Sequence, residues 1–213
     1  FAQYGGHASI RIRYDSKTSA PFYSGGETPP GDNIAYMQVG VPTYRISQMV
    51  KNGGAIIDAF GYANVISPSG LPIRAIVGIN PDPMMFIAIN CRDVAKSRAF
   101  YEQLGLTEQP YPFARLAMGQ SPFEPPQPKN SIYLSHSKNS MGILLLPATK
   151  KRGAITPSPV LQSLDIVYTP SNTSSGEGDD LRVLDPSGVQ ISFTSVGKFE
   201  KEEAATRSSL IGI

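Results

Sequence analysis

The sequence predicts an α+β fold in which β-α-β-β-β modules are repeated and form two curved sheets of mixed, mainly antiparallel strands. One observation is an internal repeat: VISPSGLPIRAIVG at residues 65–78 returns as VLDPSGVQISFTSVG at residues 183–197, 118 positions later. Each copy has an apolar entry, a Pro-Ser-Gly turn and an alternating apolar strand, which is typical of a fold assembled from repeated units. A second observation is the total of 20 glycines and 19 prolines, which indicates many turns.

Before the first copy of the repeat, the pattern predicts three strands and one short helix. ASIRIRYD at residues 8–15 alternates between apolar and polar side chains, and residues 33–42 form the next strand. TYRISQMVKNGG at residues 43–54 predicts a helix with an apolar stripe. Its two terminal glycines predict where that helix ends. AIIDAF at residues 55–60 predicts a strand that leads into the first copy.

A new module begins after NPDP at residues 80–83. MMFIAINC at residues 84–91 predicts a strand, and Asp93 is placed to cap the helix VAKSRAFYEQLG, which ends at Gly105. YPFARLAMG predicts a further strand, and SIYLSHS and MGILLLPA predict a hairpin. These elements again follow the order of strand, helix and three strands.

The chain beyond residue 150 predicts a last module that departs from this order. LQSLDIVYT predicts a strand, but TPSNTSSGEGDD stands as a flexible loop where a helix is expected, before the second copy of the repeat. KFEKEEAATR predicts a charged terminal helix. We therefore expect one domain at residues 1–80, a second at 84–197, and a charged segment and tail at 198–213.

The stretch FIAINCRDVAKSRAFYEQLGL, residues 86–106, resembles the opening module of the glyoxalase I / vicinal oxygen chelate superfamily. Residues 33–78 and 161–197 are similar to the closing module of that family, which ends in an Asp-Pro-x-Gly hairpin. The resemblance covers nearly the whole chain and implies a divergent four-module, two-domain protein whose first module is incomplete. It also implies two pseudo-domains able to exchange modules.

The resemblance implies a divalent metal site as well. In the family, a His or Gln on a first strand and a Glu on a last strand hold the metal, which polarises substrate oxygens and stabilises an enediolate. Carried over one position at a time, none of these ligands is kept, and the His of the last module falls near Ser163. The other mapped positions hold Arg11, Asn33, Arg74, Phe86, Leu145 and Ser192. We therefore expect no metal and no cofactor.

Four of these positions allow more than one interpretation. Arg11 and Arg74 could receive an anionic ligand, or they could pair with local acids or reach solvent. Phe86 and Leu145, with Met85, could line an apolar ligand pocket, or they could simply fill the vacated site.

Two segments that the fold does not require are candidates for binding a partner protein. The loop FEPPQP is stiff, and the apolar tail SSLIGI follows a charged segment, although disorder would explain both equally well. The side chains concerned are Phe123, Pro125, Pro126, Leu210, Ile211 and Ile213.

Composition narrows the functional classes. A net charge of +2 does not favour nucleic acid binding, and one cysteine excludes an internal disulfide and a cysteine-based zinc site. No apolar run is long enough to span a membrane, which leaves peripheral membrane association open.

The resemblance and the missing ligands together predict a catalytically inactive glyoxalase-like protein that serves as an accessory or assembly subunit of a larger complex. By analogy, we expect it in a plastid, in the stroma or at the thylakoid surface. The alternatives are a metal-independent binder of a small anionic molecule and a residual lactoylglutathione lyase. The sequence favours the absence of enzymatic activity without deciding it.

Overall fold

The computed structural model describes residues 34–59, 62–68, 70–77, 83–112, 127–137, 140–148, 163–168, 181–195, 200–201 and 204–205. The chain divides into two compact units, Phe1–Val160 and Leu161–Ile213. The described elements of the first unit are β1 (Ile34–Val41), α1 (Thr43–Lys51), β2 (Ala55–Ala59), β3 (Tyr62–Ile66), β4 (Pro72–Val77), β5 (Met84–Cys91), α2 (Val94–Gln103), β6 (Thr107–Glu108), β7 (Ile132–Ser135) and β8 (Gly142–Pro147).

These elements form two β-α-β-β-β modules that share one mixed sheet of eight strands, in the order β2-β3-β4-β1-β5-β8-β7-β6. In each module the first and last strands are parallel and the last two strands are antiparallel. The modules join through the antiparallel pair β1–β5. The predicted α+β fold of repeated modules is therefore confirmed.

The shared sheet contains strands from both sides of the boundary expected at residues 80–83. The domain limits 1–80, 84–197 and 198–213 stay a prediction, because the sheet joins modules without fixing where a domain ends.

The two helices form where local signals place them. The Asp93 carboxylate accepts a hydrogen bond from the backbone N–H of Lys96 at 3.1 Å, so it caps α2 as the sequence predicts. Gly53 and Gly105 follow α1 and α2 with φ of 92° and 85°, a left-handed conformation that glycine adopts without steric cost. Tyr101 anchors α2, since its side chain is fully buried.

Helix α1 packs on one face of the sheet through Ile46 and Met49, which contact an apolar cluster of β1, β4 and β5. No residue of α1 is fully buried, so this helix covers the sheet less closely than α2 does. The side chains of this cluster are Met37, Val39, Val41, Ala75, Ile73, Met84 and Ile87.

The two copies of the repeated turn have matching hydrogen bonds. At the first turn, Ser67 Oγ accepts from Leu71 N at 2.9 Å, and Gly70 has a φ of 88°. At the second, Asp185 Oδ1 accepts from Val189 N at 2.7 Å, and Gly188 has a φ of 91°. The sequence repeat is therefore a structural repeat.

The second unit contains β9 (Ser163–Tyr168), β10 (Leu181–Leu184) and β11 (Gln190–Ser195) in the order β10-β11-β9. Strand β11 runs parallel to β9 and antiparallel to β10. The same relations connect β4 to β1 and β3, so these strands match part of a module. Helical backbone at residues 200–201 and 204–205 falls within the predicted terminal helix.

Several predictions lie wholly or largely outside the described residues: the strand at 8–15, most of YPFARLAMG, the first four residues of FEPPQP, the loop TPSNTSSGEG and the tail SSLIGI. The two-residue strand β6 has no counterpart among the predictions. Within the described ranges, no helix has the length and apolarity that crossing a membrane requires.

Candidate functional site

The candidate site lies where the two modules meet, and their internal symmetry identifies its positions. Strands β1 and β5 each have eight residues, and β4 and β8 each have six. Gln38 of β1 pairs with Arg74 of β4, and at the matching place Ala88 of β5 pairs with Leu144 of β8. Exchanging the modules therefore interchanges Gln38 with Ala88 and Arg74 with Leu144.

The same exchange relates Tyr36 to Phe86, because each is the third residue of its strand. Tyr36 pairs with Ala88, and Phe86 pairs with Gln38, as the symmetry requires. The third residues of the four inner strands are thus Tyr36, Arg74, Phe86 and Leu144. They correspond to one another across the two modules.

These four side chains lie on one face of the sheet. The Arg74 Cζ atom is 4.1 Å from the centroid of the Tyr36 ring, and the Tyr36 and Phe86 ring centroids are 6.1 Å apart. Phe86 and Leu144 belong to one apolar cluster with Tyr36. The structure therefore brings together two of the residues mapped from the sequence, Arg74 and Phe86.

Leu145, which the sequence mapping selected, occupies a different place. It pairs with Ile89 and lies on the opposite face, whereas its neighbour Leu144 shares the face of Phe86. Asn33 lies outside the described residues, and the symmetry places Tyr36 at the position matching Phe86. A one-residue shift along β8 reverses the face that a side chain occupies, and a sequence pattern does not fix the pairing that decides it.

The remaining mapped positions lie in the second unit or outside the described residues. The backbone of Ser192 pairs with Asp165 in β9 and Arg182 in β10, at the place in the repeat that Arg74 holds in β4. The candidates outside the described residues are Arg11, Phe123, Pro125, Pro126, Leu210, Ile211 and Ile213.

One half of the face is a packed aromatic cluster centred on Phe86. The Phe86 side chain is fully buried, and its ring centroid lies 5.7 Å from that of Tyr111 and 5.9 Å from that of Tyr133. Gly142, the register partner of Phe86, leaves room for the Tyr133 ring, because a Cβ at this glycine would overlap that ring. At Phe86 the space is filled by side chains, which favours the filling interpretation over an apolar pocket.

The other half of the face is polar and is centred on Arg74. The Arg74 Nε–H donates to Asn64 Oδ1 at 3.0 Å, and the guanidinium also lies over the Tyr62 ring, with Cζ 5.3 Å from its centroid. Next to Arg74, the Gln38 side chain is 1% exposed and donates from Nε2 to Met85 Sδ at 3.7 Å. Among the described residues, no donor reaches Gln38 Oε1.

Sequence reasoning missed Asn64, Tyr62 and Gln38. A usable signal existed for Asn64, since it and Arg74 stand five residues on either side of the centre of the Pro-Ser-Gly turn and therefore pair in the hairpin. Gln38 had no comparable signal, because a polar residue in an alternating strand ordinarily faces solvent.

The residues on this face do not fit a divalent metal. The Gln38 amide and the Tyr36 hydroxyl carry oxygen atoms, but the permanently cationic guanidinium of Arg74 lies beside them. Neither Phe86 nor Leu144 carries an atom that binds a metal. Over the part of the chain that the structure describes, no group of three His, Cys, Asp or Glu side chains is close enough to hold a metal ion. We therefore assign no step of the family's metal chemistry to this face.

A cleft of about 670 Å³ lies away from this face, beside α1. Tyr44, Met49, Val65 and Ile73 contribute to its lining. None of the residues mapped from the sequence lines it, so the cleft and the candidate site are separate features.

Comparisons with known proteins identify the fold. No protein-family model matches the chain, and no curated protein matches it. Among solved structures, one mutant of glyoxalase I from Zea mays aligns with a TM-score of 0.56 and 14% identity, over 80% of this chain and 71% of the maize chain. A second mutant of the same maize enzyme aligns with a TM-score of 0.53 and 16% identity, over 79% and 69% of the two chains.

Proposed function

We propose that this chain, which has a glyoxalase-like fold, is a catalytically inactive protein. It would function by binding other proteins, as an accessory or assembly subunit of a larger complex. A single observation carries the proposal. The four corresponding positions at the meeting of the two modules hold Tyr36, Arg74, Phe86 and Leu144 instead of carboxylate and imidazole groups.

The loss of lyase activity follows from what the reaction requires. An enediolate is stabilised by a divalent cation that contacts adjacent substrate oxygens, and the cation needs several anionic or imidazole ligands. Arg74 places a positive charge at one of the four positions, and Phe86 is packed among aromatic rings at another. The residual lyase alternative therefore has no support from this face.

The accessory role is supported by the filled half of the face. Packed aromatic side chains occupy the volume around Phe86 that a substrate would need. The same packing stabilises the fold. Protein binding needs no such space, and we expect the contacts in the loop with Phe123, Pro125 and Pro126 and in the tail with Leu210, Ile211 and Ile213. The plastid location rests on the analogy alone, and fractionation of the source cells tests it.

The experiment combines metal analysis with turnover. The purified chain is loaded separately with Ni²⁺, Zn²⁺ and Mn²⁺, desalted, and analysed for metal by mass spectrometry. It is then assayed with the hemithioacetal of methylglyoxal and glutathione. Maize glyoxalase I, prepared in the same way, serves as the positive control. We expect far less than one metal ion per chain and no turnover above the uncatalysed rate. One tightly held ion per chain together with turnover would refute the proposal.

A further inference from the structure

The polar half of the candidate face presents a guanidinium group with unused donors. Arg74 has one hydrogen bond, from Nε to Asn64, so the two terminal nitrogens, Nη1 and Nη2, have no acceptor among the described residues. Arg74 also forms no ion pair with a carboxylate in the described part of the chain. A half-buried cation with a free pair of parallel donors is the arrangement that a carboxylate binds in a bidentate manner.

The guanidinium is held in place before any ligand arrives. The ring of Tyr36 lies 4.1 Å from Arg74 Cζ and the ring of Tyr62 lies 5.3 Å from it, so the cation contacts two aromatic side chains. The bond to Asn64 fixes the remaining rotation about the end of the side chain. Such preorganisation reduces the conformational entropy that binding would otherwise cost.

The symmetry of the sheet shows that the fold does not need these polar groups. In the other module, the positions that match Asn64, Arg74 and Gln38 hold Tyr133, Leu144 and Ala88, and that module forms the same strands. The apolar set is fully or almost fully buried, so it satisfies the packing of the sheet at least as well. Folding therefore does not explain why the first module has the polar residues Asn64, Arg74 and Gln38 at these positions.

We propose that Arg74, with Asn64, Tyr36 and Tyr62, forms a binding site for a small carboxylate. The two carboxylate oxygens accept from Nη1 and Nη2, and the tyrosine rings lie beside the guanidinium plane. The buried Gln38 amide, on the neighbouring strand, adds a polar group next to the cation. The inference rests on the proposed loss of the metal from this face, since a metal and a guanidinium would not share it.

The test titrates benzoate and acetate into the chain in the presence of EDTA, following by NMR the side-chain amide signals of Asn64 and Gln38, which every variant below retains. We expect saturable shifts with a Kd of about 1 mM, as for a single bidentate contact. Arg74→Met is expected to weaken binding by about tenfold or more. The control is Arg45→Met, because Arg45 is an exposed arginine that also lies over a tyrosine ring, with its Cζ 5.3 Å from the centroid of Tyr44. This control should bind like the wild type.

Three results would overturn the inference: no saturation by either carboxylate, unchanged binding in a folded Arg74→Met variant, or tighter binding of inorganic phosphate than of both carboxylates. Arg74→Lys keeps the charge without the paired donors, and a several-fold loss of affinity is expected from it. If Arg74→Met does not fold, the titrations of the wild type and of Arg74→Lys still show whether Arg74 binds the carboxylate. Because the metal content is measured separately, failure here is distinguishable from failure of the proposed function.

Discussion

At the scale of single residues, the face between the modules is divided by what stands at matching positions. Arg74 and Asn64 are polar where Leu144 and Tyr133 are apolar, although the backbone relations are the same. The strand pattern determines which face a side chain occupies, but only the individual residue determines whether that face binds a ligand or packs. This is why Phe86 and Arg74, both at positions mapped to metal ligands, have such different surroundings.

Replacing Phe86 with alanine is expected to lower the free energy of unfolding by about 3–5 kcal/mol, because the ring is fully buried among aromatic neighbours and would leave a cavity. Urea denaturation followed by circular dichroism measures the change. The surface control Tyr44→Ala, at a residue that is 58% exposed, should change the unfolding free energy by less than about 1 kcal/mol. Equal losses for the two variants would mean that Phe86 is not a core residue.

Gly142→Ala is expected to destabilise the chain by about 1–3 kcal/mol, since the added methyl group would overlap the Tyr133 ring. The double variant Gly142→Ala/Tyr133→Ala removes that ring. A double-mutant cycle from chemical denaturation should therefore show a loss smaller than the sum of the single losses. Strict additivity would contradict the close approach.

At the scale of elements, the sequence predicted what is local and missed what depends on pairing. A short apolar run identified β5 and the cap at Asp93 identified the start of α2, because each signal lies within a few residues of the chain. The choice between Leu144 and Leu145 depends on the register of β8 against β5, and a one-residue shift reverses the face. The mapping of Leu145 was therefore open to an error that strand prediction alone could not correct.

The repeated turns give a prediction at this scale. Gly70 and Gly188 have φ of 88° and 91°, so alanine at either position is expected to cost about 1–2 kcal/mol of unfolding free energy. Asparagine tolerates the left-handed region better, and Gly70→Asn should therefore lose less than Gly70→Ala. Thermal and chemical denaturation of the pair provide the measurement, and an equal loss would show that backbone conformation is not the cause.

At the scale of the whole molecule, two modules share one sheet, and among the described residues the face between them lacks the groups that would hold a metal. The resemblance identified the fold from the stretch around the first helix of the second module, and the maize structures match that fold at 14% and 16% identity. The fold alone does not give the function, because function depends on a few side chains, and these differ between the matching positions of the two modules.

Metal addition and removal should leave the stability unchanged. A ligand at free concentration c that binds only the folded chain stabilises it by RT ln(1 + c/Kd) and so raises its melting temperature. We therefore expect neither EDTA nor a millimolar excess of Ni²⁺ or Zn²⁺ to shift the melting temperature beyond the experimental error. A rise of several degrees with one of these ions, reversed by EDTA, would show a metal site that the described residues do not contain.

A gentle native purification of the protein from its source tests the proposed metal-free accessory role, with mass spectrometry of the co-eluting proteins and of bound metal in the same fractions. We expect the chain to elute in a complex of defined size with no stoichiometric divalent metal. Elution as a free chain that carries one divalent ion would contradict it and would return the protein to the class of metal-dependent lyases.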